Sequence, residues 1–245
     1  MLLVLSPAAL LALDCRSTAD TIEHMSSYEN SKRSRLRREP DRAHYEREAI
    51  NAILDAALVA HVGFTVEGQP YVIPTLHARV GEQLYLHGSS ASHMVRALSG
   101  GIPACVTVTL LDGIVLARSV FAHDVNYRCA VLFGTMQAVT DPAEKNIALK
   151  AFTEQLIPGR WDEAREPTAQ ELKATGVLRM TIEEASAKIG DDDPYDDDED
   201  IARDIWAGRI PITTSFGSPR PAPDLREAIP DSAAALAFIK ARNEA

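Results

Sequence analysis

Apolar and polar positions change rhythm several times along this chain. Between Asp41 and Ala57, the residues Ala49, Ile50, Ile53, Leu54 and Ala57 recur at helical steps, which predicts a helix with one buried face. Asp41, following Pro40, is its expected N-cap. The period then shortens. Leu58–Val66, Tyr71–Val80 and Leu84–His87 read as strands, separated by turns at Gly68 and at Gly81-Glu82-Gln83. Gly88–His93 interrupts this meander and opens a helix to about Leu98, closed by Gly100-Gly101.

Ala104–Leu111 alternates apolar residues with Thr107 and Thr109, and Asp112-Gly113 predicts a hairpin turn into Ile114–Ala117. Cys129–Phe133 is a short apolar run ended by Gly134, the mark of a buried strand that continues to about Val139. Asp141-Pro142 caps a second long helix with Ile147, Leu149, Phe152 and Leu156 as its apolar positions. Glu171–Lys173 adds a helical turn, and Val177–Ile182 and Ala185–Ile189 are further strands. Roughly six to eight strands joined by tight turns, with helices between them, argue for a mainly β, antiparallel barrel with inserted helices.

Three segments follow from this reading: an N-terminal extension over 1–40, a barrel domain over 41–212, and a Pro-rich linker with a short terminal helix over 213–245. Met1–Leu13 is apolar but too short for a membrane span, and it lacks the basic start and cleavage site of a secretory signal. Met25 reads as an ordinary start, with residues 1–24 an over-long reading frame. Ser26–Arg42 is strongly basic, with no aromatic interleaved among its basic positions Lys32–Arg42, so a solvated arm is expected. Asp191–Asp200, with eight acidic residues in ten, lacks EF-hand spacing and is expected to be a solvated loop.

The net charge of −10 opposes general nucleic-acid binding. Cys15, Cys105 and Cys129 form neither a disulfide framework nor a zinc pattern, so a reducing cytoplasmic setting without metal is expected. Chemistry concentrates in Arg118–Gly134, where His123, Asp124, Asn126, Tyr127 and Arg128 stand beside a core strand. Polar groups so placed need partners, and a ligand is one; pinning of a loop by Asn126 and Arg128 is the alternative. A second candidate is Gly88–His93, where small residues at a helix start would suit an anion.

The run Leu110–Ser119, continuing through Phe121 and His123 to Asn126-Tyr127-Arg128, resembles the pyridoxamine-phosphate-oxidase-related FMN-binding split-barrel family. Within it, the chain is most similar to the flavin-nucleotide-binding branch that includes nitroimidazole-resistance proteins. Tyr71–Leu76, Tyr85–Ser89, Pro158–Trp161, Glu171–Thr175, Glu184–Lys188 and Trp206–Gly208 support the resemblance in order. It implies a six-stranded antiparallel split β-barrel, a homodimer with FMN at the interface, and oxidoreductase chemistry on a small-molecule substrate. Ile73, Pro74, Thr75 and Leu76 would run beside the flavin ring, and His87, Gly88, Ser89, Ser92 and His93 would lie near its phosphate. Asn126, Tyr127, Arg128 and Lys188 would stand near the flavin or the dimer seam. At His93 and Gly190 the chain departs from the family pattern, which carries arginine at both. His123 is the candidate for proton handling, since imidazole titrates near neutral pH. A non-catalytic flavin or haem binder is the alternative, with His77, His87 or His123 offering an axial ligand.

Overall fold

The computed structural model describes residues 26–244; Cys15 and the extra-start reading of residues 1–24 lie outside the described residues. The first long element is α1 (Arg47–Ala56), whose buried face is Ile50, Ile53 and Leu54. It starts later than the sequence predicts. Asp41 lies in a 3-10 turn, Pro40–Arg42, and a two-residue strand β1 (Ala43–His44) precedes the helix. Pro40 favours that turn because its ring presets φ, and the chain must extend again to pair at its edge.

Eight more strands follow: β2 (Val59–Val66), β3 (Gln69–Val80), β4 (Gln83–Ser89), β5 (Pro103–Leu116), β6 (Asp124–Ala138), β7 (Thr175–Thr181), β8 (Glu184–Gly190) and β9 (Gly208–Pro211). Their order in the sheet is β1-β8-β6-β7-β4-β3-β2-β5-β9, and pairing of β5 with β6 closes a ring of six. This is the split barrel. Its interior is apolar: Val62, Leu84, Leu86, Val106, Val108, Leu132, Met136, Leu178 and Met180 are all fully buried. Alternation along β5 and β6 puts these residues inside and Thr107, Thr109 and Val131 on the other face.

Asp112-Gly113 is not a hairpin turn. β5 runs through it, and the pairing register with β6 shifts between Leu111 and Gly113. A bulge absorbs the extra residue where a turn would have ended the strand, and β9 then pairs with the continuation. β6 also changes partner on its second edge. It pairs with β8 from Tyr127 to Phe133 and with β7 from Met136 to Ala138. Gly134 marks the switch, because a Cβ there would collide with the Thr181 carbonyl and sit 2.6 Å from Met180 Cγ.

Helix α2 (His93–Leu98) buries Met94, Val95 and Leu98 against the barrel. α3 (Pro142–Leu156) is capped by Asp141, whose carboxylate accepts from the Ala143 and Glu144 amides. It packs Ala148 and Phe152 with Ala78, Tyr85 and Val177 in a second cluster; Ile147, expected inside, is exposed. α4 (Arg160–Glu163), α5 (Ala169–Ala174), α6 (Asp198–Ile201) and α7 (Ala233–Glu244) complete the chain. No helix among the described residues is long and apolar enough to cross a membrane.

The basic segment is not a free arm. Tyr28 is buried in the core with its hydroxyl donating to Asn51 at 3.0 Å, and Arg47 stacks over its ring. Ser34 and Arg33 both donate to Glu184, at 2.8 and 2.9 Å. Burial of one aromatic ring and one shared carboxylate outweigh the entropy of a loose tail. The acidic run is likewise tied down, at Asp192 by Asn126 and Arg42 and at Asp196, which is buried.

Candidate functional site

The candidate residues gather in two places. The first is the split between β3 and β4. These strands pair only from His77 to Val80, so the β4-side edge of β3 over residues 69–76 has no strand partner among the described residues. Ile73–Leu76 therefore present backbone N–H and C=O groups at an open edge while remaining paired with β2 on the other side. The turn into α2 sits beside it, and the His93 ring meets Tyr71 of β3 at 4.9 Å between centroids. That turn already spends several of its own donors. Ser92 Oγ accepts from the Val95 amide, Ser89 Oγ from the Ala91 amide, and the Ser90 amide donates to the Ala174 carbonyl.

His87 and His77 also lie at this end. His87 packs on Phe152 at 4.3 Å between centroids, and burial pushes its pKa down. His77 is fully buried, with Nε2–H donating to the Leu54 carbonyl at 3.0 Å. Gln155 joins it, donating to the carbonyls of Leu54, Asp55 and Ala57, so two side chains satisfy the end of α1. Burial holds His77 neutral by lowering its pKa.

The second place is a cleft of about 480 Å³ between the start of β6, the end of β8, the acidic run and the N-terminal segment. Asn126 and His123, Tyr127 and Lys188 all line it. Asn126 is buried and clamps the acidic run: its Nδ2 donates to the Asp192 carbonyl at 3.0 Å, and its Oδ1 accepts from the Asp192 amide at 3.2 Å. Lys188 donates to Glu39 and lies 5.9 Å over the Tyr127 ring. That shared hydrogen bond raises the Lys188 pKa and lowers that of Glu39. His123 donates through Nδ1–H to the Ser119 carbonyl at 2.9 Å, since a carbonyl can only accept.

Arg128 is elsewhere. It makes a two-pronged pair with Asp112 at 2.9 and 2.7 Å and lines a separate cleft with Leu58 and Phe216. The hydrogen bond to Asp112 raises its pKa. The two gathering places are also apart. From Pro74 the register crosses His61 and Thr107 to Val131, and Tyr127 lies four residues further along β6. Three strand spacings of ~4.8 Å and four residues at ~3.3 Å put them on the order of 15–20 Å apart.

Three residues that shape the cleft were not legible from the sequence as site residues. Arg42 pairs with Asp192 at 2.7 Å, Glu39 at 3.1 Å and Asp124 at 3.6 Å. A Cβ on Gly190 would lie 3.6 Å from its guanidinium, so Arg42 occupies the space at the position where the family pattern places arginine. Asp196 accepts from the Arg118 and Ser119 amides and the Arg118 guanidinium, at 2.7, 3.3 and 3.0 Å. Burial alone would raise its pKa, but these bonds outweigh it and the net direction is down. Tyr195, the neighbour of Asp196, forms part of the wall. The only sequence signal was the Pro194-Tyr195 break in the acidic run, which marks a place where the segment stops being merely solvated.

A closed six-stranded ring with an open β3 edge defines the split-barrel class of proteins. Residues 46–189 match the family model described as pyridoxamine 5'-phosphate oxidase, and the chain belongs to that family. It is 40% identical to the flavocytochrome Anf3 from Azotobacter vinelandii, with 84% of this chain and 96% of that one covered at a TM-score of 0.80. It is also 40% identical to the FAD and heme binding protein from Mycobacterium smegmatis, covering 81% and 97% at 0.78. A candidate 5-nitroimidazole antibiotic resistance protein from Bacteroides thetaiotaomicron shares the fold at 20% identity, with 60% and 86% covered and a TM-score of 0.50. No curated protein matches.

Proposed function

We propose that this chain is a flavin-dependent oxidoreductase that also carries haem and acts on a small organic molecule as a cytoplasmic homodimer. The observation that carries the reading is the pair of relatives, each 40% identical, one described as a flavocytochrome and the other as FAD and heme binding. The flavin is accordingly read as FAD in place of the FMN that the sequence resemblance implied.

When bound, a flavin supplies the hydride and electron transfer that these side chains lack. The chain's part is placement. The unpaired β3 edge at Ile73–Leu76 offers backbone donors and acceptors to a polar ring edge, which is the observation that fits the group to this site. Val59, His61, Val72 and Pro74 stand exposed on the outer face of β2 and β3, with Val72 at 68%. A second copy packed there would cover this face. It would also bring a cleft residue such as Tyr127 or Lys188 to the flavin, which the separation within one chain prevents. Cys105 and Cys129 are free thiols whose pKa burial raises, in keeping with a reducing compartment.

The test is an absorption spectrum of the purified chain, with mass spectrometry of any released flavin and sedimentation of the protein. Flavin bands together with a Soret band from a dimer are expected. The absence of both chromophores after incubation with FAD and haemin would overturn the reading. Turnover with NADH or NADPH separates the oxidoreductase from a carrier or sensor, which would bind the same groups without consuming reductant.

A further inference from the structure

We propose that the separate cleft around Arg128 binds a small carboxylic acid with an apolar body, a site independent of the flavin and haem reading above. Its volume of about 340 Å³ is within the range of small-molecule sites. The walls come from two distant parts of the chain. Leu58, Leu110 and Leu111 belong to the barrel, and Ile212 and Phe216 to the segment that follows β9. Leu110 rests on the core, whereas Leu111 is 49% exposed.

The C-terminal wall is fixed in place. The Ile212 amide donates to the Asp112 carbonyl at 2.9 Å. Phe216 exchanges two hydrogen bonds with Asn243 of α7: its amide donates to Oδ1 and its carbonyl accepts from Nδ2, each at 2.8 Å. Its ring also meets Phe238 edge-on at 4.9 Å between centroids. A wall already ordered in this way removes part of the entropy cost of binding.

Two guanidinium groups line this apolar cleft with donors to spare. Arg128 gives Nε and Nη2 to Asp112, and its Nη1 has no partner among the described residues. Arg242 stands over the Phe238 ring at 5.5 Å and makes no ion pair or side-chain hydrogen bond among the described residues. Guanidinium N–H groups are well matched to a carboxylate, which accepts their charge-assisted hydrogen bonds. Asp112 and Arg128 cancel, so the cleft keeps the charge of Arg242, which one carboxylate balances. A phosphate dianion would instead add excess negative charge to a chain whose net charge is already −10. The leucines, Ile212 and Phe216 select an aliphatic or aromatic body behind that carboxylate.

The experiment is isothermal titration of the full chain with octanoate, with octanol and acetate as controls that each keep one half of its chemistry. Octanoate is expected to saturate one site, and each control should bind roughly tenfold more weakly or less. Arg242→Ala should weaken octanoate by roughly tenfold, the loss of one hydrogen bond between charged groups, and Arg242→Lys should restore part of it. Lys240→Ala, on the same helix but outside the cleft, should leave the affinity unchanged. Octanol binding as tightly as octanoate, wild-type affinity in Arg242→Ala, or no saturable binding of octanoate would each overturn the proposal. None of these outcomes bears on whether the chain carries flavin or haem, which its absorption spectrum reads separately.

Discussion

At the C-terminal end of β6, Gly134 and Met136 press against Met180 and Leu178 in a contact made of backbone and apolar atoms alone. At the N-terminal end of the same strand, Asp124 and Asn126 stand among Arg42, Asp192 and Lys188, and nearly every contact is an ion pair or a hydrogen bond. The closure is fixed by volume, which leaves no alternative arrangement once a side chain is added. The cleft is fixed by charge, where each pair is partly hydrated and individually weak. Close packing and the polar cleft thus lie at different ends of one strand, so they should respond separately to substitution.

The largest effect is expected from Gly134→Val. The added side chain collides with Thr181 and Met180, and a loss of about 3 kcal/mol or more is expected from urea unfolding. A smaller loss, about 1–2 kcal/mol, is expected for His77→Phe, which removes a donor from the Leu54 carbonyl and leaves Gln155 as its remaining partner.

The same variant sharpens the comparison through pH. His77 and His87 both have lowered pKa values in the folded chain, against an ordinary value of 6.5. Below about pH 6.5 the unfolded state takes up protons that the folded state refuses, so stability falls with acid until the folded-state values are reached. Above that pH both forms are neutral and the dependence vanishes. His77→Phe should flatten the acid slope of the melting temperature; an unchanged slope would place the sensitivity elsewhere.

Asp196→Asn tests the cleft. Hydrogen exchange at the Arg118 and Ser119 amides should accelerate by roughly tenfold, while the global unfolding midpoint hardly moves. If it unfolded the chain as thoroughly as Gly134→Val, the division between the two ends would fail. The smallest effect on stability is expected for Arg42→Ala, less than about 1 kcal/mol by thermal unfolding, since its partners keep solvent contact.

This difference also explains what the sequence made legible. Strand and helix periods are local, so the meander, the Asp141 cap, the closing strands and the terminal helix could be read directly. The Asp112-Gly113 bulge could not, because the same dipeptide makes a turn or a bulge according to whether β9 is there to pair with the continuation. Among site residues, Asn126, Tyr127, Lys188 and His123 do share one cleft, and His93 at the start of α2 meets Tyr71, two residues before Ile73–Leu76 on β3. Arg128 looked equivalent to its neighbours in the motif, yet Asp112 draws it into another cleft. Arg42 and Asp196 escaped notice because their meaning depends on partners as distant along the chain as Arg42 from Asp192. Charge alone made one look like a tail and the other like a loop.

The guanidinium over Gly190 gives the N-terminal segment a second meaning. A cation reaching this point from the strand would need a side chain at 190, and that side chain would compete for the volume that Arg42 fills. Positions 42 and 190 are therefore two halves of one choice, and a change at either should be tolerated best when the other changes with it. The charge of this cleft and the packing of the core are also carried by one segment: trimming the chain past Arg42 would take Arg38, Glu39 and Arg42 from the cleft and Tyr28 from the core together.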